Sequence, residues 1–95
     1  MALDFTVKVA KIYPEQSGSN EKGNWMKQSV LVETLERLPR SVCLTFWGER
    51  VSMVKSLKES DIVKVYFNLE SRFYIDKWHT EVKAWKIEPI SSDEN

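Results

Sequence analysis

Ninety-five residues make one domain, and a chain this short buries only about 60–65% of its unfolded surface, so its core is thin. Fourteen basic and fourteen acidic side chains cancel, which argues against a purely electrostatic nucleic-acid binder; residues 1–90 alone hold fourteen cations against twelve carboxylates, a net charge of +2. The sequence contains neither an apolar run of about 18 residues nor a basic flank leading into an apolar signal core, and its single Cys43 rules out an internal disulfide, so a cytoplasmic protein that does not span a membrane is expected.

Residues 3–13 alternate, with Leu3, Phe5, Val7 and Val9 on one side and Asp4, Thr6 and Lys8 on the other. That period of two predicts a half-buried strand, and its slip near Ala10 to Ile12 predicts a bulge. Residues 14–24, rich in Gly, Ser and Asn, read as a long polar loop in which Gly18 and Gly23 allow mobility. A second strand over 25–34 turns Val30 and Val32 inward and Trp25, Lys27, Ser29 and Leu31 outward. After Leu38-Pro39 comes a third strand over 41–47. Val42, Leu44 and Phe46 point in; Ser41, Cys43, Thr45 and Trp47 point out.

Gly48 breaks that strand. Val51, Val54 and Leu57 then recur three apart, predicting a short amphipathic helix able to plug one end of a sheet. From Asp61 a fourth strand sends Val63, Val65, Phe67 and Leu69 inward. A fifth, from about Trp78 to Glu88, has Val82 and Ala84 as its inward residues, and Pro89 ends it. Residues 1–90 form the domain, and 91–95 read as a short flexible tail. This order of elements matches the five-stranded Greek-key barrel called the OB-fold, all-β with one short helix between strands three and four. Closing the sheet removes the edges that five strands would otherwise expose.

The tip between the last two strands is unusual. Arg72, Phe73, Tyr74, Lys77, Trp78 and His79 crowd where small polar residues normally meet water. Aromatic rings interleaved with cations suit a ligand with flat faces and negative charge, which describes single-stranded nucleic acid. Aromatics also pair across hairpins for stability alone, so at least one ring, Phe73 or Trp78, reads as structural. Trp25, Lys27 and Trp47 share one outer surface by strand alternation, and Lys22 lies in the first loop as a phosphate contact or a solvated charge. With one His and one Cys no zinc site of ordinary spacing can be assembled. No phosphate-cradling glycine loop, nucleophile elbow or metal-binding helix motif is present, so an enzyme is not expected and no cofactor is implied.

Trp47-Gly48, Asp61-Ile62-Val63-Lys64-Val65, Glu70-Ser71-Arg72-Phe73-Tyr74 and Trp78-His79-Thr80-Glu81-Val82 together resemble the bacterial single-stranded DNA-binding protein family. The closer resemblance is to a small, little-characterised OB-fold family of bacteria and their phages, carried also by Pro14-Glu15-Gln16-Ser17-Gly18 and Ala84-Trp85-Lys86-Ile87-Glu88, over roughly residues 3–88. The resemblance implies sequence-independent binding of single-stranded DNA in replication, recombination or repair, by a homodimer or homotetramer. It places Trp47, Tyr74 or Phe73, and Trp25 with Lys27 against bases and phosphates. Three departures stand out: Ser60 replaces a glycine, the tip Ile75-Asp76-Lys77 has none, and the tail lacks an apolar hook for partners.

The rival reading is a protein-interaction module that buries the same rings against a partner. An RNA ligand is a variant of the first reading, because stacking alone does not read the sugar. Charge geometry separates the binder from the module. Lys27, Arg72 and Lys77 beside Trp47 favour nucleic acid; Glu33, Glu70 and Glu81 lining that face favour a protein partner.

Overall fold

A computed structural model describes residues 3–90. Its elements are β1 (Leu3–Ile12), β2 (Gln16–Asn20), β3 (Gly23–Thr34), β4 (Ser41–Trp47), a 3₁₀ helix (Gly48–Ser56), β5 (Ile62–Tyr74) and β6 (Lys77–Pro89). The sheet order is β1-β5-β6-β4-β3-β2, and a further β1–β3 pairing closes five of the strands into a ring. This is the OB barrel, with the helix after the barrel's third strand. Every barrel pairing is antiparallel except β4 with β6.

The core lies where the alternation placed it. Val7, Val9, Val30, Val32, Leu44, Phe46, Val63, Val65 and Ala84 are buried inside the ring, while Val51, Val54 and Leu57 seal one end. Burying each of the Val, Leu and Phe side chains contributes about 1.5–3 kcal/mol. The three-residue spacing of the sealing residues is the period of a 3₁₀ helix, the form this segment takes. The bulge expected near Ala10 is present as a register shift between Val9 and Lys11.

Two expectations are corrected. Residues 14–24 are not simply a loop, because Gln16–Asn20 pairs with β3 from Gln16↔Lys27 to Asn20↔Gly23. β1 and β2 lie along the same edge of β3, interrupted at Pro14, which has no N–H to donate. Exposed on nearly every residue, β2 shows no apolar alternation from which a strand could be read. The second correction is Leu69, which is 56% exposed rather than inward. It has passed beyond β1, which covers β5 only from Ile62 to Phe67; β4 still pairs with β6 at Val82 and Lys83, opposite Leu69 and Asn68, so Leu69 stands at the base of an arm in which the β5–β6 ladder continues alone from Glu70. Thirteen residues per strand at about 3.3 Å give roughly 43 Å, close to the molecule's 50 Å long dimension. The tail at 91–95 lies outside the described residues. No described helix is long and apolar enough to cross a membrane.

Candidate functional site

Trp47 ends β4 in extended conformation, and Gly48 follows at φ 59°, a left-handed value that favours glycine. Alternation turns Leu44 and Phe46 into the barrel and leaves Trp47 half-buried on the outside. Its cross-strand partner is Lys27. Two residues earlier on β3, the Trp25 ring lies 6.3 Å from that of Trp47, tilted by 57°. The Lys27 ammonium sits 5.2 Å from the Trp47 ring centre and 5.9 Å from that of Trp25, within cation–π range of both. Trp25 is held from behind by β2. A Cβ added to Gly18 would stand 2.7 Å from the indole, so glycine permits this approach. Gly18 therefore seats a ring rather than loosening a loop.

The arm supplies the opposite wall. Cross-strand pairs Glu70↔Glu81, Arg72↔His79 and Tyr74↔Lys77 share one face, and Phe73↔Trp78 fall on the other. Lys27, Trp47, Glu70, Arg72, Tyr74, His79, Thr80 and Glu81 line an open depression of about 360 Å³. The Trp47 indole N–H crosses it to donate to Glu81 Oε2 at 2.8 Å. Lys83 bridges to Glu70 and also lies 5.8 Å from the Trp47 ring. The Lys83 ammonium, first by hydrogen bond and then by charge, holds the Glu70 carboxyl below its usual range, with Arg72 adding a smaller push. Glu70 and Glu81 are like charges directly opposite, a destabilising pair unless each is occupied. Here each has its own partner, an ammonium and an indole N–H.

The structure thus brings Trp25, Lys27, Trp47, Arg72 and Tyr74 together, with Lys77 on the same face. Phe73 and Trp78 lie on the far side of the arm in an edge-to-face pair, ring centres 5.3 Å apart, 56% and 69% exposed. Lys22 sits in the turn between β2 and β3, where its backbone N–H is bonded to Asn20 Oδ1, and it does not line the depression. Both charge patterns are partly realised. Lys27, Lys83, Arg72 and Lys77 outnumber Glu70 and Glu81, and Glu33 pairs with Ser41 away from the depression. The geometry adds Lys83 beside Trp47 and puts His79 in the lining of the depression. Because Ala84 faces inward, Lys83 and Glu81, one and three residues before it, face outward and stand in the wall. Among the described residues no three of His, Cys, Asp and Glu cluster as metal ligands would.

A model for a domain of unknown function, DUF3127, matches residues 4–88. No curated protein matches the chain. Solved structures do. The mitochondrial single-stranded DNA-binding protein Rim1 of S. cerevisiae is similar at 6% identity and TM-score 0.73, over 95% of each chain. The SSB domain of a Synechococcus protein aligns at 12% identity and TM-score 0.66, over 92% of each chain. The second single-stranded DNA-binding protein of Mycobacterium smegmatis aligns at 20% identity and TM-score 0.58, over 99% of this chain and 97% of that one. At such identities the likeness is one of fold. It is the fold that the sequence motifs resembled.

Proposed function

We propose that this chain, which belongs to the DUF3127 family, binds single-stranded DNA with little sequence preference and without catalysis. The observation that carries the reading is Lys27 lying between the Trp25 and Trp47 rings, facing Arg72 and Tyr74 across an open depression. Bases stack on Trp47, Trp25 and Tyr74, at about 1–3 kcal/mol each. Lys27, Arg72, Lys77 and Lys83 neutralise phosphates, and Lys22 meets the strand at the edge. The excess of cations on this face answers the zero net charge of the whole chain. The structural neighbours, which are single-stranded DNA-binding proteins, point the same way. Strand protection in replication, recombination or repair is the corresponding role, and a homodimer or homotetramer raises avidity.

Titrating tryptophan emission with an oligothymidylate at low and moderate salt tests this. Strong quenching that weakens with salt is expected. Unchanged emission at micromolar protein overturns the reading, and an oligouridylate run beside it tests whether RNA is the preferred strand. One observation favours a protein-interaction surface instead: Leu69, Phe73, Ile75 and Trp78 are each more than half exposed on the arm. If that is the function, Phe73→Ser and Trp78→Ser change the oligomeric state by light scattering while the oligonucleotide has no effect on emission.

A further inference from the structure

The arm's outer face does not stop at the depression. Along β5 the residues on that face are Lys64, Tyr66, Asn68, Glu70, Arg72 and Tyr74. Tyr66 lies eight residues from Tyr74, about 26 Å of strand. Its ring is flanked by two ammonium groups, Lys64 at 5.2 Å and Lys86 at 5.3 Å from its centre. The pairing of β5 with β6 shifts register between Tyr66 and Phe67, leaving Trp85 as the extra residue. Without that bulge Lys86 would share the inward face of Ala84; with it, Lys86 stands opposite Tyr66 outside, and Ile87 packs against the core instead. Trp85 backs the Tyr66 ring at 5.5 Å.

Two carboxylates share this neighbourhood. Glu88 accepts the Tyr66 hydroxyl at 3.1 Å and meets Lys86 at 3.4 Å, and Asp4 pairs with Tyr66 from β1. Lys64 makes no ion pair among the described residues, and the Lys86–Glu88 contact is long and open to solvent. A ring held between two cations is the same arrangement as at Trp47, on the same sheet face, and nothing in the depression accounts for it.

Resting on the proposed function, we infer that Tyr66, Lys64 and Lys86 form a second contact station for the bound strand, which runs lengthwise along the β5–β6 ladder after leaving the depression. The base stacks on Tyr66, and the two ammonium groups take the phosphates on either side. Trp85 keeps the ring standing, and the bulge keeps Lys86 facing the strand.

Oligothymidylates of about 4 and about 16 nucleotides, the limits of site size for one OB-fold, test this on the intact chain. Lys64→Gln with Lys86→Gln alters exposed and half-exposed side chains and is expected to lower the melting temperature only slightly, through the exposed Lys86–Glu88 pair. The double variant should bind the longer strand about tenfold more weakly at low salt and the shorter one as the wild type does. The slope of log affinity against log salt for the longer strand should fall by about 1.4, from two phosphates at about 0.7 each. Equal loss on both lengths, or none on either, overturns the second station and leaves the proposed function standing. Failure of the wild type to bind either length overturns both.

Discussion

The indole N–H of Trp47 and the carboxylate of Glu81, 34 residues apart in sequence, meet at 2.8 Å across the depression. The bond fixes how the ring stands, and it also puts a negative charge where a phosphate is to come. Trp47→Ala should cost about 1–3 kcal/mol of strand binding with little loss of fold, since the side chain is outside the core. Glu81→Gln keeps an acceptor for the indole and removes the charge. It should raise affinity a few-fold at low salt and less at high salt, read by anisotropy of a labelled oligonucleotide. Weaker binding by Glu81→Gln would show that the charge, not only the bond, positions the ring.

Gly18→Ala is the sharpest test of how Trp25 is seated. The new methyl would stand 2.7 Å and 2.9 Å from two carbons of a rigid ring, so the indole must tilt or β2 must withdraw. We expect about 1–3 kcal/mol of overpacking, seen as a lower melting temperature and an altered tryptophan emission. Strand affinity should fall with it, because the spacing of the Trp25 and Trp47 rings changes.

The arm's turn is strained in a way that substitution can relieve. Ile75 and Asp76 have φ of 47° and 60°, the left-handed pair of a two-residue hairpin, where Asn-Gly is the favoured sequence. A β-branched residue at such a φ costs about 1–2 kcal/mol. Ile75→Asn with Asp76→Gly should stabilise the protein by about 1 kcal/mol, raising the melting temperature by about 4–8 °C. Ser60, at φ 80°, stands where the resembling family has glycine, and Ser60→Gly should give a smaller gain, because glycine also has more freedom to lose.

Acid should act through Glu70. Lys83 holds its folded-state carboxyl below the ordinary glutamate range, so the pairing adds stability above that range and loses it as pH falls through the depressed folded value. Glu88 behaves alike, with the Tyr66 hydroxyl as the main cause and Lys86 also contributing. Carboxyl carbon shifts followed by NMR should show both titrating below the ordinary glutamate range. Glu70→Gln should flatten the acid limb of the melting curve slightly, as an exposed pair contributes little. A normal titration for Glu70 would mean that Lys83 is engaged elsewhere.

The barrel was legible because its walls obey a period of two: Val7 and Val9, Val30 and Val32, Leu44 and Phe46, Val63 and Val65 each point in. Legibility ends where the chain leaves the wall. Leu69 continues the inward pattern of β5 into a region with no interior, and β2 pairs through its backbone while its side chains meet water. In the site, alternation placed Trp25, Lys27 and Trp47 together correctly. Carried along the arm, the same alternation puts Phe73 in line with Leu69 and Trp78 in line with Val82, on the face away from Arg72 and Tyr74; the crowding of rings at the tip hides that split. The Lys86–Tyr66 contact depends on a bulge, and one extra residue reverses every assignment beyond it.

β1 closes the ring, and its two neighbours are far apart in the chain: Val7 lies opposite both Thr34 and Val63. Ribosomal synthesis at about 5–20 residues per second separates the making of Val7 from that of Val63 by several seconds. Through that interval the amino-terminal strand can pair on one side only. Such distant pairings put the chain among slow folders, on the order of milliseconds to seconds once complete. A nascent chain halted before β5 therefore carries an open edge, and a chaperone that shields sheet edges would find its substrate there.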